Sequence, residues 1–567
     1  MPHRSLPLHY STPPELRGEA PGRRPVVIVG GGPVGLAAAI DCGLHGIPVL
    51  LLDEDDTVST GSRAICWSKR TLEIFDRLGV AGRMVAKGIT WKVGKLFHRD
   101  RLVYQFDLLP EAGHKMPAFI NLQQYYVEEY LIERAAELPS LELRWKNRVV
   151  GLTQTPEGVT LEVETPDGRY KVEAGWVLAC DGARSPVRKM MGLGFAGKVF
   201  EDRFLIADIR MKADRMKADF PTERWFWFDP PFHPGQSALL HRQADNVFRI
   251  DLQLGWCADP DEEKRPERVI PRLRAMLGED ARFDLEWVSV YTFQCRRLDR
   301  FRHGRVLFVG DSAHQVSPFG ARGGNGGIQD ADNLVWKLAL VLRGTAPESL
   351  LDSYDEERIR GCEENIRNST RSTDFIAPKG PGARMFRDAV LSLAADAPFA
   401  RRLVNSGRLS VPCALDGCTL QTVDEAGWEA GGAVPGSVCP DAPIVERNGL
   451  PGWLLNELGH DFALLVFADS PADLPDRAAL TRLQHHPVGL RELVIAPDAA
   501  GFGEDVAVLV DRDGLARHRY GGHPGSVHLV RPDQHLAARW PALDEAAVGA
   551  ALDRAVGRNP SPAVAAA

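Results

Sequence analysis

Six consecutive residues, Gly30-Gly31-Gly32-Pro33-Val34-Gly35, follow the spacing G-x-G-x-x-G. Glycine at the fixed positions lets the backbone turn sharply and approach a ligand with no side chain between, and a proline at a helix start has no needed amide to lose. The chemistry on offer is anion binding, because the amides and the positive dipole end of a following helix converge on a pyrophosphate. Asp53 stands 18 residues after Gly35, with Glu54 beside it. A carboxylate at that distance accepts hydrogen bonds from an adenosine ribose; the plainer alternative is a solvated member of the run Asp53-Glu54-Asp55-Asp56, and the spacing favours the ribose. Gly30, Gly32, Pro33, Val34, Gly35, Asp53 and Glu54 thus form a candidate dinucleotide site, with FAD and NAD both open at this point.

Such residues act only if secondary structure holds them. Val26-Val27-Ile28-Val29 reads as a strand buried on both faces, Gly35 to Gly46 as a helix, and Pro48 to Asp53 as a second buried strand, which together make a βαβ unit. Two later strand-like runs, Trp176 to Ala179 and Arg305 to Val309, each lead into a turn that pairs Asp with Gly. Period-two alternation from about 151 to 170 and from 203 to 253 predicts antiparallel strands with one solvated face, forming a second sheet inserted into the first domain. Asp330 to Arg343 and Leu350 to Asn368 read as helices, and strand-like runs near 462–467, 492–495 and 506–510, followed by a helix over 544–556, indicate a separate α/β module.

The chain's 567 residues exceed one ordinary core. Hydrophobic residues at 44% and charged residues at 25% exclude a disordered or fibrous chain. A net charge of -8 without a basic run argues against nucleic acid and for a small-molecule partner. Nine scattered cysteines, an odd number with no C-x-x-C pair, argue against disulfides and against a metal site of the zinc-ribbon kind, and so point to the cytoplasm. No apolar stretch reaches the roughly 18 residues of a membrane span, so stable membrane association is not expected. Residues 1–24, rich in Pro, Arg and Ser, are expected to be a disordered N-terminal tail.

Two segments beyond the glycine loop decide between cofactors. Cys180-Asp181-Gly182-Ala183-Arg184-Ser185-Pro186-Val187-Arg188 and the run from Arg305 through Gly310-Asp311-Ser312-Ala313-His314, Pro318, Gly320 and Asn325 to Leu338 stand in that order after the first motif. With them the sequence resembles, over roughly 25 to 375, the single-component (class A) FAD-dependent aromatic monooxygenases of the para-hydroxybenzoate hydroxylase and phenol hydroxylase type. The resemblance implies an α/β fold: a Rossmann-like FAD-binding domain, 25–375, with an inserted antiparallel substrate domain at about 101–170 and 201–294. It implies FAD as cofactor, NADPH or NADH as a transient co-substrate, O2, and hydroxylation of a small, phenolic aromatic through a flavin C4a-hydroperoxide. It also carries site roles onto matching positions: Asp181 and Asp311 toward FAD, Gln124 toward the ribityl chain, Pro318 and Gly320 beside the flavin, and Arg63 near the flavin phosphate and the nicotinamide approach. Amides at Gly324, Asn325 and Gly326 face the pyrimidine edge, Arg184 and Arg188 offer phosphate contacts, and His314 is a structural part of its motif.

Phenolic hydroxylases of this type often place an Asp or His base just after the arginine-alanine pair, but here Ile65 follows Arg63-Ala64. A base contributes about 10²- to 10⁴-fold, so its absence from that position is a real departure. Tyr291 is the first candidate to reach the substrate, together with Arg63 and Pro318 as catalytic-site residues; His233, His241 and Arg242 are further candidates, and Trp225-Phe226-Trp227-Phe228 an apolar wall.

A helical linker region is expected over 376–434. Residues 435–567 resemble the thioredoxin-like C-terminal domain of phenol hydroxylase and 3-(3-hydroxyphenyl)propionate hydroxylase relatives, through Asp511-Arg512-Asp513-Gly514, Arg519-Tyr520-Gly521 and Leu529-Val530-Arg531-Pro532-Asp533. With only Cys439 in it, this module reads as structural, or as a homodimer contact. Two other functions fit the same motifs: a flavin-dependent reductase or dehydrogenase that inserts no oxygen, and a catalytically silent flavoprotein with a regulatory role.

Overall fold

The computed structural model describes residues 7–19, 22–61, 64–212, 222–404, 411–424, 428 and 431–558. Its first sheet grows from the βαβ unit. Arg24–Val29 lies between Val49–Leu52 and the second half of Gly168–Ala179, parallel to both. Leu141–Arg144 adds beyond Val49–Leu52, and Val306–Phe308 beyond Gly168–Ala179, again in parallel. Val26, Val27, Ile28, Leu50, Leu51 and Leu52 have no solvent exposure, the condition that makes a parallel strand read as an unbroken apolar run. Helices Pro33–Leu44 and Gly323–Leu342 pack against each other. Their close approach needs Gly327, where a Cβ would meet Val34 at 2.7 Å and the Gly310 Cα at 3.1 Å.

Gly168–Ala179 does two jobs, and this corrects the expected extent of the inserted domain. Its first half pairs antiparallel with Val159–Thr165, which pairs in turn with Arg148–Gln154. The alternating stretch near 151–170 is therefore an outgrowth of the first sheet. The second sheet instead runs in the order His314–Gln315, Phe283–Arg297, Ala196–Met211, Val247–Gly255, Ser237–Arg242, Arg224–Phe228, Val93–His98, Arg101–Asp107. Alternation reports one solvated and one packed face, and it says nothing about which sheet a strand joins.

A three-stranded sheet is formed by Cys66–Ser68, Phe119–Asn121 and Ile89–Trp91, and Asn121 donates from it to the Arg242 carbonyl of the second sheet at 2.8 Å. The C-terminal sheet has the order 451–453, 443–446, 508–510, 491–496, 463–467, 527–530, 536–540. Its parallel pair joined through Arg477–Gln484, followed by an antiparallel hairpin and the helix Glu545–Ala555, is the thioredoxin-like arrangement. This module shares a core with the first domain: Trp336 and Leu340 of the long helix pack with Phe462, Leu464 and Val466. Residues 411–424 run back along the helix Asp352–Ile376, where Thr419 reaches Glu356 and Gln421 reaches Glu357.

Residues 7–19, expected as part of a mobile tail, are docked. Tyr10 and Thr12 donate to Asp167 at 2.9 and 2.6 Å, and Glu15 pairs with the buried Arg144 at 2.9 Å. Polar composition suggested solvation, and the partners that overturn it lie more than a hundred residues away. No helix among the described residues is long and apolar enough to cross a membrane.

Candidate active site

The glycine loop is built as a cradle. Gly30 holds φ +109, and a Cβ there would collide with the Cys180 carbonyl, just as one on Gly35 would collide with the Gly30 carbonyl. A Cβ on Gly32 would meet nothing within 4 Å, so the loop is closed against the protein on two sides and open over Gly32, at the start of Pro33–Leu44. This shape fits the pyrophosphate of FAD. Asp53 ends its strand and accepts the amides of Gly31 and, at 2.8 Å, Asp55. Burial pushes its carboxyl up to about 6, against the pull of those two amides, and Asp55 and Glu54 add to the rise. Glu54 is itself exposed, with its carboxylate 3.8 Å from Arg148.

Two expected flavin contacts, the Gln124 side chain and the Gly326 amide, prove to be engaged with the protein. Gln124 accepts the Ala64 amide at 3.1 Å and donates to Glu128 at 2.8 Å, while Glu128 accepts the Ser59 amide at 2.7 Å. Gln124 and the buried Glu128, which the sequence reading missed, tie Ala64 and Ser59 to the helix Gln124–Ala136; Arg63 itself lies outside the described residues. The Gly326 amide donates to the Arg322 carbonyl at 2.8 Å, so it belongs to the helix rather than to a ligand. Asn325 uses its side chain on the small sheet, accepting the Ser68 amide at 2.9 Å and donating to the Cys66 carbonyl at 2.9 Å and the Ala321 carbonyl at 2.6 Å. Gly324 is packed close to Ala64 and Trp67, each 3.5 Å from where its Cβ would be. Just before it, Pro318 is exposed, Gly320 holds φ +101 and Ala321 holds φ +52, a conformation costly for a residue with a side chain.

The other two motifs meet at the end of the first sheet. Asp181 accepts the Val187 amide at 2.9 Å through one oxygen, while its other oxygen is shielded and unpartnered among the described residues; burial pushes this carboxyl up. Asp311 is exposed, with its carboxylate 3.9 Å from a Cβ on Gly323. Arg188 is no free phosphate contact: it is buried and donates to the carbonyls of Ser312 and Ala183 at 2.9 and 3.0 Å, tying the two motifs together, while Arg184 is exposed. His314 is buried 2.6 Å from Asp330, which also takes Arg358 at 2.6 Å and the Gly310 amide at 3.1 Å. Burial alone would raise the Asp330 carboxyl, but His314 and Arg358 hold it down at about 2.

The second sheet turns one face toward these loops. Its register sets Asp208, Arg249 and His241 side by side, with Trp287 beyond Asp208 and Arg224 next to His241. Two residues along, Ile206, Asp251, Leu239 and Phe226 form the next row, and Tyr291, Phe204, Gln253 and Phe228 the one after. Phe204 and Phe293 pack on Phe319, the neighbour of Pro318, with ring centres 5.1 and 5.3 Å apart. At the other end Cys66 lies 3.9 Å from the His241 Nδ1 and donates to Asn121 at 3.2 Å. Trp287 lies against Gly61, whose φ of +73 and missing side chain permit the contact. This face is thus bracketed by both flavin-side loops. Tyr291 is on it, and its hydroxyl makes no hydrogen bond among the described residues. His233 is not available, since its Nε2 lies 2.5 Å from the Gln253 carbonyl. The aromatic run divides by alternation: Phe226 and Phe228 line this face, whereas Trp225 and Trp227 pack with Phe97 in the opposite layer.

A glycine cradle open to a pyrophosphate, an Asp-Gly and a Gly-Asp motif at the sheet end and a buried aromatic face beside them are the parts of an FAD-dependent monooxygenase of the aromatic hydroxylase class, the class to which its relatives belong. The chain belongs to the family described as FAD binding domain, which matches residues 23–369. Residues 436–555 match the HcaD C-terminal domain. Among relatives, a 3-(3-hydroxy-phenyl)propionate/3-hydroxycinnamic acid hydroxylase of Mycolicibacterium smegmatis is 28% identical over 560 residues, covering 95% of each chain. A 6-methylpretetramide 4-monooxygenase of Streptomyces rimosus is 30% identical over 549 residues, covering 93% of this chain and 92% of the relative. The fold is shared with the flavin-dependent monooxygenase PieE in complex with FAD and substrate, at a TM-score of 0.80 and 23% identity over 95% of this chain and 100% of that one.

Proposed function

We propose that this protein uses NADH or NADPH and O2 to hydroxylate a small phenolic substrate bound between its inner sheet face and FAD. The observation that carries this reading is the buried row Arg224, His241, Arg249 and Asp208 on the same sheet face as Tyr291, a face that meets Cys66 at one end and Phe319 at the other. A sheet face that is both polar and shielded is costly unless it recognises something, and here the polar groups adjoin aromatic walls of Phe204, Phe226 and Phe228. The relative that acts on 3-(3-hydroxyphenyl)propionate supports a phenol as the substrate class.

In this reading Gly30, Gly32, Pro33, Val34 and Gly35 hold the FAD pyrophosphate, and Asp53 takes the ribose with the capacity left after its two amide bonds. Glu54 borders the same pocket. Asp181 and Asp311 lie toward the ribityl chain, Gln124 sets the Ser59–Ala64 loop, and Pro318, Gly320, Gly324, Asn325 and the helix start border the flavin ring. Bound FAD supplies hydride acceptance and oxygen activation. The chain's own part is to orient the ring against Phe204 and Tyr291, exclude water, and manage the substrate's proton. All nine cysteines are free, which supports a reducing, cytoplasmic setting.

The test is oxidation of NADH and NADPH in ¹⁸O₂ by the purified yellow enzyme against phenols, hydroxybenzoates and hydroxyphenylpropionates. A compound that accelerates oxidation and gains one labelled oxygen is the expected result. Equal rates without oxygen, with a reduced product, would establish the reductase alternative instead.

A further inference from the structure

Hydroxylation of a phenol is fastest on the phenolate, and the position just after Arg63-Ala64, where the resembled phenolic hydroxylases often place a base, is held by the buried, apolar Ile65. Another group has to take the proton. Two side chains on the inner sheet face are placed for it. Arg224 is only 7% exposed, its Nε is fully shielded, and it makes no ion pair or hydrogen bond among the described residues. Asp251 is one row along the same face; its Oδ1 is fully shielded, and the carboxylate likewise has no hydrogen-bond or ion-pair partner among the described residues. The contrast with the next pair is sharp: Arg249 donates twice to Asp208, both at 2.8 Å. A buried cation and a shielded carboxylate oxygen that, among the described residues, bond neither to each other nor to another group carry a desolvation cost that a ligand placed between them relieves.

We propose that Asp251 is the base that takes the phenolic proton of the substrate, and that Arg224 holds the phenolate oxygen so formed. The proposal rests on the hydroxylase reading above. In the step, the substrate O–H bond breaks, the proton passes to the Asp251 carboxylate, and the electron pair stays on the phenolate oxygen beside the Arg224 guanidinium. No oxidant or reductant takes part.

The charges around Asp251 come from its own strand and from the elements packed about it: Arg249 two residues back on the same strand, Asp208 on the adjacent strand, Arg224 in the neighbouring row, and Cys66 from the small sheet. Burial pushes the Asp251 carboxyl up to about 6; Arg249 and Arg224 oppose the rise and Asp208 adds to it. The group is therefore ionised at neutral pH and has a matched affinity for a proton. His241 is the weaker base, since burial and the nearby Arg224 and Arg249 push its imidazole well below its ordinary value.

The experiment compares wild type, Asp251→Asn and Arg224→Met holoenzymes on a series of fluoro- and nitro-substituted phenols, with flavin content and spectrum as the check on folding. Wild-type kcat/KM is expected to rise through about pH 6. Asp251→Asn is expected to lose about 10²-fold in kcat at neutral pH, and to recover as the phenol becomes more acidic or the pH rises. Arg224→Met is expected to raise KM most for the least acidic phenols. Independently of the variants, 4-nitrophenol bound to the wild type should show its phenolate spectrum at a pH where free 4-nitrophenol is neutral. A neutral bound spectrum, or an Asp251→Asn enzyme whose rates and pH profile match the wild type, overturns the assignment while leaving the hydroxylase reading intact. If no phenol is hydroxylated by the wild type, the hydroxylase reading itself has failed.

Discussion

Arg531 of the C-terminal module and Glu357 of the helix Asp352–Ile376 form a bidentate ion pair, at 2.5 and 3.0 Å, with both side chains fully shielded from water. Lys337 donates to the same carboxylate at 2.7 Å, and Arg531 also reaches Asp533 at 2.5 Å, so two cations and two anions balance at the junction of the domains. The Arg-Pro-Asp run that marks the module in the sequence thus has an intramolecular role: it plugs the module into the helices that carry the flavin-side loops.

Replacing Arg531 with Met leaves Glu357 and Asp533 short of a cation in a dry interior. Breaking one partner out of a buried network costs about 3–5 kcal/mol. The expected outcome is a lower urea midpoint for the holoenzyme, with flavin release coincident with unfolding. An unchanged midpoint would mean that apolar contacts such as Trp336 on Phe462 hold the module alone.

Acid should loosen the flavin-side helix through Asp330. Its carboxyl is held at about 2 against an ordinary 3.8, so the stabilisation is present above pH 4 and is lost as pH falls toward 2. The shift corresponds to about 2 kcal/mol. Urea titrations across this pH range should show that slope in the wild type and a smaller one in Asp330→Asn, which starts out less stable.

The glycine loop offers a paired test of cradle against scaffold. Gly35→Ala places a Cβ against the Gly30 carbonyl and should destabilise the whole domain. Gly32→Ala meets nothing of the protein and keeps an ordinary φ of -73, so the chain should fold with its circular dichroism intact and yet retain little FAD. Full flavin content in Gly32→Ala would remove the pyrophosphate from that side of the loop.

Asn325→Ala removes three hydrogen bonds that join the long helix to Ala321 and the Cys66–Ser68 strand. Leaving such groups unsatisfied costs about 1–3 kcal/mol each where they are buried. Because that strand lies against the face proposed to hold the substrate, the expected signature is uncoupling, measured as hydroxylated product formed per NAD(P)H consumed. A variant with undiminished coupling would confine Asn325 to a stability role.

Much of this was local and therefore legible. Val26–Val29, the G-x-G-x-x-G loop and the helix after it are one continuous segment whose apolar run and glycine spacing state their own geometry. Asp181, Asp311 and His314 were placed by the order of their motifs, and His314 proved to be structural. Arg188 was misread because the carbonyl of Ser312 that occupies it lies 124 residues on.

The sequence by itself determined the βαβ dinucleotide unit, the order of the three flavin motifs and the presence of a separate C-terminal module, since each depends on short-range pattern. Only the tertiary structure decided which strands share a sheet and which polar faces are wet. Val247-Phe248-Arg249-Ile250-Asp251-Leu252-Gln253 alternates as a half-solvated strand should, yet Arg249 and Gln253 are buried and the Asp251 Oδ1 is shielded, because the Cys66 strand and the Pro318–Ala321 loop cover that face. Periodicity records a difference between two faces; what lies over the polar one is set by contacts distant in the chain.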